Sequence, residues 1–269
     1  MRYNLGKAFW RKTAMLQHLH TLYRPLSAHE ARARLQERQT YPIYGGGAYL
    51  MRLPLAARRA LLAIVDLAEL APRNWQLNED HLEIGSAATL ATVSTIHPDV
   101  AAVIAAEVPR TLQNTLTVGD VLMECRPDSL ILALLHGIAA RVITVEHDQN
   151  TAIDMPRWCA LSLEERRQLA VLGVIVQGYA AQWRFAAFKV ARTPADAPIV
   201  GAVGFAAHID PDPGAYSVLV GVLPQPVRYH EGITSTLSNY KGSAAYRTAM
   251  ASVVHEEAIR RARQLVQGG

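Results

Sequence analysis

Hydrophobic and polar positions along this chain change period several times, and the changes mark its elements. Near the N-terminus, Phe9, Leu16 and Leu19 recur at helical spacing, which predicts an amphipathic helix over 9–22 as an extension or docking arm. In YRPLSAHEARARLQE, Pro25 sets an extended entry, Ser27 is placed to cap, and Glu30 stands three residues later as its reciprocal partner. A helix over 28–36 follows from that start signal. Short apolar runs at Tyr41–Tyr44 and Ile64–Asp66 predict strands, the first ending at Gly45-Gly46-Gly47. NEDHLEIG reads as a hairpin turning through Asn78–Asp80.

Helices are predicted over 89–95, 98–107 and 128–137, with a strand over 140–145. Beyond Pro156 the pattern shifts. Ser162 with Glu165 is again a cap signature, and strand-like runs follow at 172–177, 184–190, 199–209 and 216–223. DPDPGAY interrupts the last two, because Pro and Gly cannot serve a central ladder. HEGITSTLSN and residues 244–265 predict two closing helices. Strands followed by helices give an α+β class, in three parts: an extension over 1–20, a mixed α/β region over 21–155, and a linker with an α+β domain over 156–269.

Composition narrows the function classes. The chain has 269 residues, 50% of them hydrophobic and 19% charged, at a mean hydropathy of +0.07, so disordered and fibrous classes are excluded. The 27 basic residues exceed the 23 acidic ones by four but form no run, so nucleic acid is not an expected partner. Two cysteines, Cys125 and Cys159, cannot supply a four-thiolate cluster or zinc site. Apolar runs break before about 20 residues, so no spanning helix is expected. The first residues lack an apolar signal core, which makes the cytoplasm the expected compartment.

Two loops could carry chemistry. Gly45-Gly46-Gly47 can bring backbone amides close to an anion, as a pyrophosphate nest does, or can be a tight turn between strand and helix. In Asn114-Thr115-Leu116-Thr117-Val118-Gly119-Asp120, Thr117 offers a hydroxyl, Gly119 an accessible amide and Asn114 a pinning amide. Asp120 opposes them: a carboxylate beside a diphosphate is repelled, whereas a structural turn would use it to cap the next segment. Lys189 and Arg192 could face a bound flavin or form a strand-edge ion pair. Tyr179 and Trp183 could cover a ring system or pack in the core. Cys125 reads as a packed thiol, and His18, His20, His97, His136 and His208 make no metal pattern. No Ser–His–Asp motif points to a hydrolase.

These pieces occur in a recognisable order. YRPLSAHEARARL, GGGAYL, IVDLAELAP, LEIGSAATLATV, LQNTLTVGDVL, FKVARTPADAPIVGAVGF, VGVLPQPVRYHEG and YRTAMASVVHEEAIRRA together resemble the medium subunit of the xanthine dehydrogenase and aerobic carbon monoxide dehydrogenase family, over residues 21–266. The resemblance implies a two-part FAD-binding domain of the molybdopterin dehydrogenase type, followed by a small α+β domain of the CO dehydrogenase flavoprotein type. It also implies a cofactor set of Gly45, Gly46, Gly47, Ala48, Tyr49, Asn114, Thr117, Val118, Gly119, Asp120, Asp128 and Lys189. Ala48 and Tyr49 stand at the family's Thr and Asp positions, Gln113 at an arginine, Leu116 at a glycine, Asp120 at the second diphosphate glycine and Val121 at an asparagine.

What the resemblance implies for function is an electron-transfer subunit. FAD would pass electrons from two [2Fe–2S] clusters on a small partner to an external acceptor, and a large partner would oxidise substrate at a molybdopterin cofactor. The alternative is a structural or assembly subunit of such a complex that has lost FAD.

Overall fold

The computed structural model describes residues 2–4, 16, 18–146, 149–178, 183–207 and 214–268. Four short strands make the first sheet: β1 (Arg2–Asn4), β2 (Thr21–Tyr23), β3 (Thr40–Ile43) and β4 (Ala63–Asp66), in the order β1-β2-β4-β3. Both β2 and β3 run parallel to β4. That arrangement needs crossovers, and helix α1 (Ala28–Leu35) supplies one of them. Ser27 accepts from the Glu30 amide at 3.1 Å, while the Glu30 carboxylate accepts from Leu26 N at 2.9 Å, one residue earlier than a reciprocal cap would use. The glycine run leads into two short helices, α2 (Ala48–Arg52) and α3 (Leu55–Ala60).

The second sheet is antiparallel. It holds β5 (Trp75–Leu77), β6 (His81–Gly85), β7 (Arg141–Glu146), β8 (Gln149–Asp154) and β9 (Ala170–Gln177), in the order β5-β6-β9-β7-β8. Strand β9, although last in the chain, pairs with both β6 and β7. Hydrogen bonding therefore runs across the expected junction at 155/156, because the strand that completes this sheet comes after it.

Between β6 and β7 lie α4 (Leu90–Val93), α5 (Pro98–Glu107), α6 (Arg110–Gln113), α7 (Val118–Glu124) and α8 (Leu130–Gly137). Between β8 and β9 lie α9 (Met155–Ala160) and α10 (Leu163–Arg167), the latter opened by the predicted Ser162–Glu165 box. From α10 the buried Arg167 donates to Thr40 O at 3.0 Å, tying the two sheets together.

The third sheet is a meander of β10 (Trp183–Val190), β11 (Val200–Ala207), β12 (Ala215–Val220) and β13 (Val227–Arg228). Strand β11 is buried along its whole length. Helix α11 (Ala244–Gln267) covers one face, and α5 and α8 pack on the other side of the meander. Apolar residues from β10–β12, including Phe185, Val203, Phe205 and Val218, join the same core as the first two sheets. A satellite core between α11 and the meander holds Val200, Leu219, Val254 and Ala258.

Two polar anchors fix this packing. Asp99 of α5 accepts from Arg184 at 2.8 and 3.2 Å and from Phe185 N at 3.0 Å. Arg247 of α11, 2% exposed, donates to the carbonyls of Ile199, Gly221 and Gly242 and to Asn239 Oδ1.

Two expectations are corrected. Leu22 lies in β2 rather than in a helix over 9–22; Phe9 and the rest of 5–15, with residue 17, lie outside the described residues. HEGITSTLSN is not helical: Gly232 takes φ 78°, and the Ser235 hydroxyl accepts from Leu237 N at 3.1 Å and donates to Val222 O at 2.7 Å, so side-chain bonds stand in place of the helical ladder. Tyr179 and His208 also lie outside the described residues.

Candidate functional site

The two glycine-bearing loops come together in space. Gly45 and Gly47 adopt positive φ values of 116° and 63°, carrying the chain from β3 into α2. At Gly46 the backbone lies so close to the second loop that an added Cβ would stand 2.4 Å from Thr115 O and 3.7 Å from Asp120 Oδ2. The glycine is needed there for contact between loops. Gly119 is similar: a Cβ would stand 2.3 Å from the ring of the buried Tyr44. The sequence reading missed Tyr44, whose only signal was its position at the end of an apolar strand.

Asp120 joins the loops. Its Oδ2 accepts from Thr117 N at 3.0 Å and from the Thr117 hydroxyl at 2.9 Å, and the Asp120 amide donates back to Thr117 Oγ1 at 3.1 Å. This is a complete capping box on α7. Its Oδ1 accepts from Tyr49 N at 3.4 Å, and the Ala48 amide also points at the carboxylate. Asp120 is 1% exposed. Burial pushes its pKa up, while the bonds from Thr117, Tyr49 and Ala48 pull the other way. A single carboxylate thus occupies the donors at the start of both α2 and α7.

The remaining amides of the second loop are also engaged. Val118 N donates to Ala88 O at 3.0 Å and Gly119 N to Ser86 O at 2.8 Å. The amide of Gly119, expected to be accessible, is turned into the protein by the GSAATL segment that follows β6. Thr89 bridges Thr117 in the same place. Tyr49 is 1% exposed beneath the loop and donates from its hydroxyl to Pro42 O at 2.5 Å. Ala48 is half-buried, and Asn114 is exposed at the end of α6.

Asp128 and Lys189 belong to a different neighbourhood. Asp128 pairs with Arg126 at 3.2 Å and Lys241 at 2.8 Å, and Arg126 pairs with the buried Glu107 at 2.6 Å. Glu107 also accepts from Ser129 Oγ and Ile131 N, although burial is the larger influence and raises its pKa. Lys189 donates to Asp196 O at 2.8 Å, and burial lowers its pKa. Arg192 stands over the Tyr240 ring at 5.7 Å, and together they border a cleft with Asp196, Ile199 and Lys241. Trp183 packs edge-on against Tyr216 at 5.9 Å, as a core residue does. His97 caps α5 by accepting from Asp99 N. Among the described residues no His, Cys, Asp and Glu group could hold a metal, and no helix is long and apolar enough to cross a membrane.

FAD's diphosphate needs unpaired amides and no fixed negative charge between these loops. The residues present do not fit it. The donors on the Thr117 side are already bonded, a carboxylate stands among them, and Gly46 lies against Thr115.

No protein-family model matches the chain, and a search of the curated proteins finds no match. Solved structures do match. Reconstituted CO dehydrogenase from Oligotropha carboxidovorans is 17% identical, with 90% of this chain and 97% of that chain covered at a TM-score of 0.75. Carbon monoxide dehydrogenase from Hydrogenophaga pseudoflava is 16% identical over 92% and 96%, at 0.74. Quinoline 2-oxidoreductase from Pseudomonas putida 86 is 18% identical over 92% and 96%, also at 0.74. The chain has the fold found in these CO dehydrogenase and quinoline 2-oxidoreductase structures, and the expected α+β class is borne out.

Proposed function

We propose that this chain is a medium-type subunit of a molybdenum-hydroxylase-like oxidoreductase complex, acting as a scaffold between its partners. The partners would be a large molybdopterin-binding subunit and a small [2Fe–2S] subunit, as the order of its sequence blocks implies. In this role the chain does not hold FAD's diphosphate. The observation that carries this is the Asp120 carboxylate, which accepts from Thr117 and Tyr49 and closes the loops on themselves. An anionic ligand would have to displace a buried like charge and break three existing hydrogen bonds. The near-complete fold is what a subunit kept for assembly would retain.

The test is quantitative cofactor analysis of the native complex isolated through this chain. Molybdopterin and iron–sulfur partners should co-purify, with flavin far below one per chain. Near-unit FAD would overturn the flavin-free reading, and absence of both partners would overturn the assembly role.

A second reading, an FAD-dependent electron-transfer subunit, is favoured by one observation. Gly45 and Gly46 remain exposed, and Lys189 lies in the strand that leads to the open cleft at Arg192 and Tyr240. The same flavin measurement separates the two.

A further inference from the structure

Helix α11 and the start of β12 border an open groove of about 570 Å³, whose walls include no residue of the glycine-bearing loops. The helix presents two neighbouring ridges to it. His255 and Arg263 lie on one, at helical spacing, and Arg260, Gln264 and Gln267 lie on the next. Ala215 of β12 also borders the groove, and so small a side chain leaves the space open.

His255 is held from two sides. Its Nδ1 lies 2.8 Å from Ser217 Oγ on β12, and its ring stacks on Tyr229 at 3.8 Å, 14° from parallel. Tyr229 is itself tied to that strand, donating from its amide to Ser217 O at 3.0 Å. Ser217 is 1% exposed, and His255 is the one partner of its hydroxyl among the described residues. A buried hydroxyl proton without an acceptor is costly, so Ser217 donates to Nδ1 and the ring carries its own proton on Nε2. Nε2 is the nitrogen left to the groove, and it is a donor there. Burial lowers the His255 pKa, which sets the ring as a neutral donor.

The arginines add charge. Arg263 is exposed and has no ion pair among the described residues. Arg260 spends Nε and Nη2 on Glu257, at 2.7 and 2.6 Å, which leaves its Nη1 edge unused by that pair. Gln264 and Gln267 are exposed and add amide donors. Glu256 is the one carboxylate in the groove wall and works against an anion. We propose that this groove is an oxyanion site for a small molecule bearing a phosphate or carboxylate group, bound by His255 Nε2, Arg263 and the free edge of Arg260. Arg263 supplies charge that no neighbour neutralises, and the stacked, Ser217-held imidazole supplies a donor fixed in direction. The site belongs to this chain whether or not its loops hold FAD.

The test is calorimetric titration of the purified full chain with inorganic phosphate and, separately, citrate, at constant ionic strength in a chloride buffer. One saturating site per chain is expected. Saturation by phosphate alone assigns a phosphate ester, and saturation by citrate alone assigns a carboxylate. Arg263→Gln should weaken binding at least about tenfold, the worth of one charge-assisted hydrogen bond. Arg59→Gln removes the same charge from an exposed position on α3 and should bind like the wild type. Glu256→Gln should bind more tightly, because a like charge leaves the wall. Nitrogen NMR of the imidazoles, with His255 assigned through His255→Gln, should show the proton on Nε2 and that nitrogen shifting as the bound anion is added. Failure of both anions to saturate by about 10 mM, too weak for a built site, would overturn the proposal. So would an equal loss in Arg59→Gln, or a His255 proton on Nδ1.

Discussion

Replacing Asp120 by Ala removes the acceptor of Thr117 N, the Thr117 hydroxyl and Tyr49 N. With Asp120 1% exposed, water does not replace the carboxylate without the loops opening. Each buried amide left unpaired costs about 1–3 kcal/mol, and the 3.4 Å contact to Tyr49 belongs at the lower end. The Thr117 hydroxyl can re-form a bond elsewhere by rotating, and the variant no longer desolvates a carboxylate. The net loss should be about 2–4 kcal/mol, with Asp120→Asn, which keeps one acceptor oxygen, losing less. Urea denaturation followed by tryptophan fluorescence measures it, since Trp158 packs against α7. A second readout follows from charge. A phosphate oxygen taking up the same amides would stand about 4 Å from the carboxylate, a repulsion of about 4 kcal/mol at an effective dielectric of about 20. Asp120→Ala should therefore bind pyrophosphate more tightly than the wild type. If Asp120→Ala unfolds at the wild-type urea midpoint and gains no affinity, the carboxylate is not the clasp and the flavin-free reading loses its basis.

Further outcomes follow from the same contacts. Because burial raises the Asp120 pKa, the folded state holds its proton more firmly, so its contribution is complete below the ordinary carboxylate range and is lost as pH rises through the raised value. Wild type minus Asp120→Asn stability should accordingly fall between acid and neutral pH, and a flat difference would contradict it. Gly46→Ala should cost about 1–3 kcal/mol in a urea titration, since its Cβ would meet Thr115 O at 2.4 Å. Arg247→Met leaves buried carbonyls at Ile199 and Gly221 unpaired, and thermal unfolding should show a loss of about 3–5 kcal/mol. A double-mutant cycle on Asp99 and Arg184 should return a coupling of about 1–3 kcal/mol; a value near zero would remove that pair as an anchor.

Local signals were legible in the sequence because a few neighbouring residues decide them. Ser162 and Glu165, the Asn78–Asp80 hairpin and the spacing of Thr117 to Asp120 all specify caps or turns within four residues. What stayed hidden depends on distant partners. Nothing near Asp120 shows that Tyr49 N will meet it, and nothing near Gly119 shows that Ser86 O will take its amide. HEGITSTLSN illustrates the reverse, where helix-like spacing lost to bonds from Ser235 to Val222 and Thr248. Glycines and polar side chains marked the two loops in the sequence, whereas the contacts between them are set by partners far along the chain.

The placement of β9 carries a consequence for biosynthesis. As the chain emerges, β6 and the β7–β8 hairpin are made first, yet neither has its inner neighbour until residues 170–177 follow. Until then two strand edges stand open in the nascent polypeptide, with Leu82, Ile84 and Val142 beside them. Closure of the sheet is a long-range event that zips two separated segments around a late arrival. A ribosome-released fragment ending near residue 155 should aggregate rather than fold, which makes β9 the keystone of vectorial folding.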